Sequence, residues 1–402
     1  MTASSAPEDE RMTVTDIMPG QSKTHVAICL VNISVGGVWT CLRNLLVRLE
    51  ATKRYSFSVI IKERTPGDEP HMAFLSARNI NVSIVPKFED PKPASRISRR
   101  IWKIRRWLAQ RESSRKVKRL VKNADLVIDY LDGYFAEELS GSRVPKIFWF
   151  HQGAYVWEKR LAKRADIVLP VFDRIVCLTN GFSKYFCEHY PQYAAKAVTL
   201  YNFLDFERVR QRALEAPSAP TDPYFVFVGR LSKDKDHDTA IDAFCQFARN
   251  NETVKFLFVG DGPRRGEIEK HIRELGLEGR IILTGAVENP YGLIKNSIAH
   301  ILSSYGEGLP TVLLEAAALG VPNISANCPN GPDEILQTGE SGLLFPPGDA
   351  NMLAGHMSLL WNSPELREEL ARKAALSLDR FDAETLMPQL EHILTTSLRP
   401  VP

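Results

Sequence analysis

The sequence predicts an α/β protein built from two open, doubly wound parallel sheets that face one another across a cleft. Three observations carry this. At 402 residues the chain is too long for one ordinary core. Short apolar, β-branched runs alternate with helical stretches along most of its length, the pattern of a parallel sheet with helices on both faces. The alternation breaks at the proline-rich stretch from Ala213 to Pro223 and then begins again.

The elements follow in order. Residues 1–22 are polar and lack the basic start and apolar stretch of a signal peptide, so they read as a disordered tail. The first domain is expected over 23–205. It opens with an apolar run from Thr24 to Ile33, a Gly36-Gly37 turn, and a helix in which Val38, Leu42, Leu45, Leu46 and Leu49 share one face. Strand candidates follow at 57–61, 82–85, 126–130, 146–150, 175–178 and 198–201. A linker is expected over 206–223. The second domain, 224–380, repeats the pattern with strands at 225–229, 255–260, 281–285, 299–303, 323–326 and 342–345. Residues 381–402 are expected to form a helix that packs back on the first domain.

Composition bounds the function. The apolar share of 44%, charged share of 25% and net charge of +3 are those of an ordinary globular protein, and the small charge argues against a nucleic-acid binder. None of the six cysteines forms a C-x2-C pair, so no zinc site is indicated and a reducing cytoplasm fits. No run approaches the length of a membrane span. Charge does concentrate at 92–122, where many lysines and arginines stand against the single acid Glu112. Ile97, Ile101, Ile104 and Leu108 fall on one face of the helix expected there, with Trp102 and Trp107 beside them. Such a helix packs its isoleucines on the domain or lies on an anionic membrane surface; nucleic acid is a third reading, but no binding motif accompanies the charge.

The chemistry concentrates at the carboxyl ends of the strands, where ligands bind in open α/β sheets. Glu307 and Glu315, with seven residues between them, bracket a strand-to-helix junction. A helix starting near Pro310 leaves the N–H groups of Leu309, Thr311 and Val312 free to meet an anion. Arg230 and Lys235 project from the loop after the first strand of the second domain, and two cations there suit a diphosphate. Gly260-Asp261-Gly262-Pro263 reads as a tight turn, because the third glycine of a dinucleotide fingerprint is one place late. Asp236-His237-Asp238 reads as a helix start in preference to a metal site. His151 follows the aromatic strand Phe148-Trp149-Phe150 and is placed at the edge of the cleft.

Together these residues resemble the retaining GT-B glycosyltransferases of glycosyltransferase family four. The likeness covers roughly residues 24 to 390. It rests on Gly36-Gly37, His151, Asn202, Gly229-Arg230 with Lys235, Gly260-Asp261-Gly262-Pro263, Glu307-Gly308, Glu315-Ala316 and the run from Asn330 to Ile335. The resemblance implies two facing Rossmann-like domains and a hexosyltransferase that takes its sugar from a nucleotide-diphosphate donor, UDP-sugar favoured. It implies catalytic roles for Glu307, His151, Arg230 and Lys235. Donor binding would fall to Gly37, Arg230, Lys235, Val287, Asn289, Gly308, Leu309, Pro310, Thr311 and Glu315. In that scheme Glu307 touches the donor sugar, Glu315 the ribose, and the cations replace a metal, so no cofactor is expected. The acceptor would be a glycan or a lipid-linked sugar in cell-surface polysaccharide or glycolipid synthesis. The enzyme would be cytoplasmic, in contact with an anionic membrane through 92–122. A catalytically inactive sugar-nucleotide or membrane-binding scaffold and a GT-B sugar-nucleotide epimerase are the competing readings. Two departures from the family pattern are visible. Asp236 stands where glycine usually follows the lysine, and Val38-Trp39 replaces a small-acidic pair.

Overall fold

The structure is a computed structural model that describes residues 22–33, 36–85, 96–160, 162–215 and 220–398. The expected tail at 1–21 and the start of the basic stretch at 92–95 lie outside the described residues.

The first sheet contains β1 (Thr24–Leu30), β2 (Tyr55–Ile61), β3 (Asn81–Ile84), β4 (Leu126–Asp129), β5 (Lys146–Trp149), β6 (Arg174–Cys177) and β7 (Ala197–Thr199). Its order is β3-β2-β1-β4-β5-β6-β7, with every pair parallel. The second contains β8 (Tyr224–Val228), β9 (Lys255–Val259), β10 (Ile281–Gly285), β11 (His300–Leu302), β12 (Asn323–Ala326) and β13 (Leu343–Phe345). Its order is β10-β9-β8-β11-β12-β13, again all parallel. Side chains alternate across a strand, and both faces of each sheet are covered. In β1, Val26, Ile28 and Leu30 enter one core while Ala27 and Cys29 enter the opposite one with Phe148, Phe150 and Trp157.

Each sheet reverses direction of winding beside its first strand. The crevices therefore open between β1 and β4 in one domain and between β8 and β11 in the other. The loops leaving β8 and β11 carry Arg230, Lys235 and Glu307, so topology alone gathers them.

One expectation needs adjustment. The linker assigned to 206–223 contains a helix, Phe206–Leu214. Asp205 caps it by accepting from Arg208 N at 3.0 Å. Phe206, Val209 and Ala213 form its buried face against the helices Tyr291–Lys295 and Thr311–Ala318. The helix expected to start near Pro310 begins at Thr311, with Pro310 as its extended N-cap. The basic helix, Arg96–Val121, buries Val117 and Val121 at its C-terminal end. Ile101, Ile104 and Leu108 do not pack on the domain: they are 56%, 59% and 54% exposed.

The chain crosses between the domains twice. After the outward crossing near Leu204, the last helix, Ala383–Ser397, returns to the first domain. Leu204 and Asp382 form a parallel bridge at the crossing. Glu391 pairs with Arg54, and Gln389 donates to Thr199 O at 2.7 Å.

Candidate active site

Lys235 and Glu307 meet in the crevice of the second domain. Lys235 Nζ lies 2.5 Å from Glu307 Oε1, and Ser304 Oγ donates to the same oxygen at 2.5 Å. The two loops are stapled together beneath this pair. Ser303 Oγ donates to the carbonyls of Lys235 (2.9 Å) and Asp236 (2.8 Å), and Tyr305 N donates to Asp234 O (2.9 Å). Cys328, which the sequence did not single out, is buried against this spot, and the Glu307 charge helps to push its thiol up.

Asp236 takes a left-handed conformation, φ 47°. That explains why glycine is the usual residue there, and why an aspartate substitutes: its carboxylate accepts from Thr239 Oγ1 at 2.6 Å, a local bond that compensates the strained backbone. Asp238 is spent on Arg264, whose Nη2 donates to it at 2.9 Å.

Arg230 is exposed on the same strand edge and has no side-chain partner among the described residues. The loop after β9 packs directly against its loop. Leu231 N donates to Asp261 O at 3.0 Å, and Gly260, at φ +148°, would place a Cβ 1.9 Å from Gly229 O. Gly260-Asp261-Gly262 thus shapes the edge that presents Arg230. At the helix start, no carbonyl among the described residues accepts from the N–H of Leu309, Thr311 or Val312. Those donors stand at the start of the helix that Pro310 precedes.

The first domain closes over this edge. A Cβ on Gly153 would sit 1.8 Å from Glu307 O, and one on Gly308 would sit 2.5 Å from His151 O. Two glycines, one per domain, therefore let the His151–Gly153 loop and the Glu307–Gly308 loop touch backbone to backbone. Asp132, after β4, holds the first of these loops by accepting from His151 N at 2.9 Å and Gln152 N at 3.4 Å. The His151 ring lies on Tyr130, centroids 4.4 Å apart, and its Nε2 is buried with no partner. Burial lowers its pKa to about 3, so the imidazole is neutral at physiological pH. Gly37 approaches from the same side: its Cβ would lie 3.6 Å from Thr311 Oγ1.

Glu315 sits one turn below Thr311 and is 9% exposed. Burial raises its carboxyl to about 7, partly opposed by Arg212. Beyond it lies an interdomain cavity of about 680 Å³. Val287 lines that cavity, but Asn289 does not. The Asn289 amide donates to Arg212 O at 2.8 Å and its oxygen accepts from Tyr291 N at 3.4 Å, so it braces the loop.

A second interdomain contact went unread. Glu334 accepts from Asn180 N (3.1 Å), Asn180 Nδ2 (2.9 Å), Gly181 N (3.2 Å) and the Tyr201 hydroxyl. Its place in the Asn330–Ile335 run was the available signal, but nothing in that run names a partner more than a hundred residues away.

Comparison with known proteins adds the following. The family model described as Glycosyl transferases group 1 matches residues 210–376, and that described as Glycosyltransferase Family 4 matches 35–208. An exopolysaccharide phosphotransferase of Streptomyces coelicolor is 32% identical over 227 residues, 56% of this chain and 24% of that protein. The N-acetylgalactosamine-N,N'-diacetylbacillosaminyl-diphospho-undecaprenol 4-alpha-N-acetylgalactosaminyltransferase of Campylobacter jejuni is 28% identical over 222 residues, 55% of this chain and 58% of that enzyme. The matched segment thus spans only about a quarter to three fifths of these relatives. Among solved structures, Anabaena HepE in complex with UDP and glucose superimposes with a TM-score of 0.75 at 19% identity, covering 93% of this chain and all of that one.

Proposed function

The chain belongs to the GT-B glycosyltransferases of the family four type, and on that premise we propose that it is a retaining, metal-independent hexosyltransferase. It moves a sugar from a nucleotide-diphosphate donor, UDP-sugar favoured, to a glycan or lipid-linked acceptor in polysaccharide or glycolipid synthesis. The observation that carries this is the Lys235–Glu307 pair, held beside a free helix start and covered by the His151 loop.

In this reading the bond from the anomeric carbon to the donor phosphate breaks as the acceptor oxygen bonds to the same face. The acceptor proton passes to the leaving phosphate. Charge grows on the diphosphate, and Lys235, the unpartnered Arg230 and the N–H groups of Leu309, Thr311 and Val312 stabilise it. Those fixed donors do the work that a divalent ion does elsewhere. Glu307, already accepting from Lys235 and Ser304, holds sugar hydroxyls and orients the lysine. It is not placed as a nucleophile; double displacement would ask for a free carboxylate roughly 5 Å from an acid/base partner. Neutral His151 donates one hydrogen bond to the sugar or its phosphate. Glu315 accepts from the ribose, and Val287 borders the base. The UDP in the HepE complex and the diphospho-undecaprenol in the name of the Campylobacter enzyme support the donor and acceptor classes.

A thermal-shift screen of UDP-, GDP- and ADP-sugars tests the donor assignment. A selective ligand at about 100 times its Kd stabilises by roughly 2.7 kcal/mol. Slow hydrolysis of that donor without acceptor is expected as well. A chain that binds a donor but never turns it over would be a scaffold, and a chain that binds none would end this reading.

A further inference from the structure

The 680 Å³ cavity, which Val287 borders from the donor side, also carries three arginines that the donor reading leaves unassigned. Arg43 from the helix Gly37–Ala51 lines it on one side. Arg208 and Arg212, four residues apart and so on one face of the helix Phe206–Leu214, line it on the other. All three are half-buried. Arg43 leans on the Phe74 ring at 5.0 Å, and Arg212 lies 5.6 Å from the Tyr291 ring and donates to Glu288 O at 3.3 Å. None of them forms an ion pair with a carboxylate among the described residues.

The neighbouring charges do not pair with them: Glu315 feels the charge of Arg212 but forms no ion pair with it among the described residues, and burial favours its neutral form. Asp205 faces the cavity but caps its own helix and lies 3.9 Å from Arg48. Glu288 is exposed. Arg78 is matched by Glu50 at 3.2 Å. Arg43 shows the strain: burial first, then Arg208, Arg212 and Arg78, pull its pKa down to about 10. His71 stacks on Trp39 at 4.5 Å in the same cavity wall, and its buried Nε2 has no partner. Like charges half out of water repel, and an anion bound between them relieves the repulsion while offering acceptors to the guanidinium forks.

We propose that this cavity is an anion-binding acceptor subsite, in which Arg43, Arg208 and Arg212 hold a phosphate or diphosphate carried by the acceptor. The inference rests on the donor reading above. The donor diphosphate already has Arg230, Lys235 and the helix start at the other side of Glu315, and a nucleobase brings no charge. The aromatic wall of Trp39 and Phe74 belongs to the first domain, the acceptor side. The anion has two possible sources: the headgroup of a lipid-linked acceptor, or a free phosphorylated one.

Calorimetry on the full chain saturated with UDP tests this. Inorganic pyrophosphate and farnesyl diphosphate are titrated in separate arms. Each is expected to bind a further site, at least tenfold more weakly in the Arg43→Gln/Arg208→Gln double variant, while the Kd for UDP moves less than threefold. Arg208→Lys, which keeps the charge but loses the fork, should fall between. Tighter binding of farnesyl diphosphate marks a lipid-linked source, and equal binding a free one; both support the subsite. Two results overturn it: UDP abolishing pyrophosphate binding in the unaltered chain, or the double variant losing UDP as strongly as pyrophosphate. Either would hand the arginines to the nucleotide and leave the transferase reading standing. If UDP and the other nucleotides all fail to bind, the donor reading is what falls.

Discussion

Lys235 and Glu307 neutralise one another across the crevice between β8 and β11, Nζ to Oε1 at 2.5 Å. In the proposed reading, the lysine that meets the diphosphate is thus aimed by the carboxylate that meets the sugar. Glu307→Gln keeps the shape and removes the charge. Turnover should fall at least 100-fold while the nucleotide Kd changes less than threefold, read by steady-state kinetics and calorimetry. Small, equal effects on both would refute the division of labour.

Glu315 should behave in the opposite way. Glu315→Gln is expected to weaken nucleotide binding at least tenfold, because an amide offers ribose hydroxyls one acceptor atom in place of two. Its pH dependence has a definite sign. The folded-state pKa of about 7 lies above the ordinary 4.5. The folded chain therefore holds an extra proton between those values, and this carboxyl's contribution to stability is complete below about 4.5 and withdrawn as pH rises through 7. The amide never ionises, so Glu315→Gln should melt higher than the parent at pH 8 and level with it at pH 4. Nucleotide affinity of the parent should tighten from pH 6 to pH 8 as the carboxylate forms. A flat affinity profile would remove Glu315 from the ribose.

Gly153 and Gly308 permit the two loops to touch, so a single methyl should separate them. Gly153→Ala is expected to lower kcat/KM at least 100-fold, because the added carbon would meet Glu307 O at 1.8 Å. The methyl takes no apolar side chain out of the hydrophobic core, so the melting temperature should shift by no more than about 3 °C, on the scale of 1 kcal/mol for a chain of this size. Retained activity would show that the loops need not close.

Glu334 clasps Asn180, Gly181 and Tyr201 of the first domain. Glu334→Ala leaves those donors without their acceptor, at a cost on the order of 2 kcal/mol. Small-angle scattering should show a larger radius of gyration, and urea unfolding should broaden or split. An unchanged scattering profile would mean that other contacts suffice.

How much of this was legible in the chain depended on range. Strand ends were readable to within two or three residues, because β-branched runs stop at glycine or polar turns, as at Ile281–Gly285 and Asn323–Ala326. Lys235 and Glu307 were readable as residues of one cleft, since both lie just past a central strand, but not as an ion pair. The helix Phe206–Leu214 was hidden by the prolines that follow it, although Asp205 and the Phe206, Val209, Ala213 spacing announced it. The arginine cavity and the Glu334 clasp were not readable at all. Each joins residues from both domains, and no local pattern encodes the approach of one domain to the other.

The exposed Ile101, Ile104, Trp107 and Leu108 stand among arginines on the helix Arg96–Val121. We expect the chain to float with phosphatidylglycerol vesicles at low salt and to be released at high salt, as screened electrostatics require. Ile104→Ser/Trp107→Ser should abolish flotation. No described helix is long and apolar enough to cross a membrane. Failure to float at low salt would discard this expectation.

The paired passage of the backbone at Leu204 and Asp382 sets how the lobes can move. A single tether would let them swivel in any direction. Two strands lying side by side act as a door with two pins, leaving one easy axis of rotation. In the proposed reading, a swing back along that axis would return the His151 loop to the same spot above Glu307, so alignment for the next turnover would be inherited from the hinge and need not be found by the substrate.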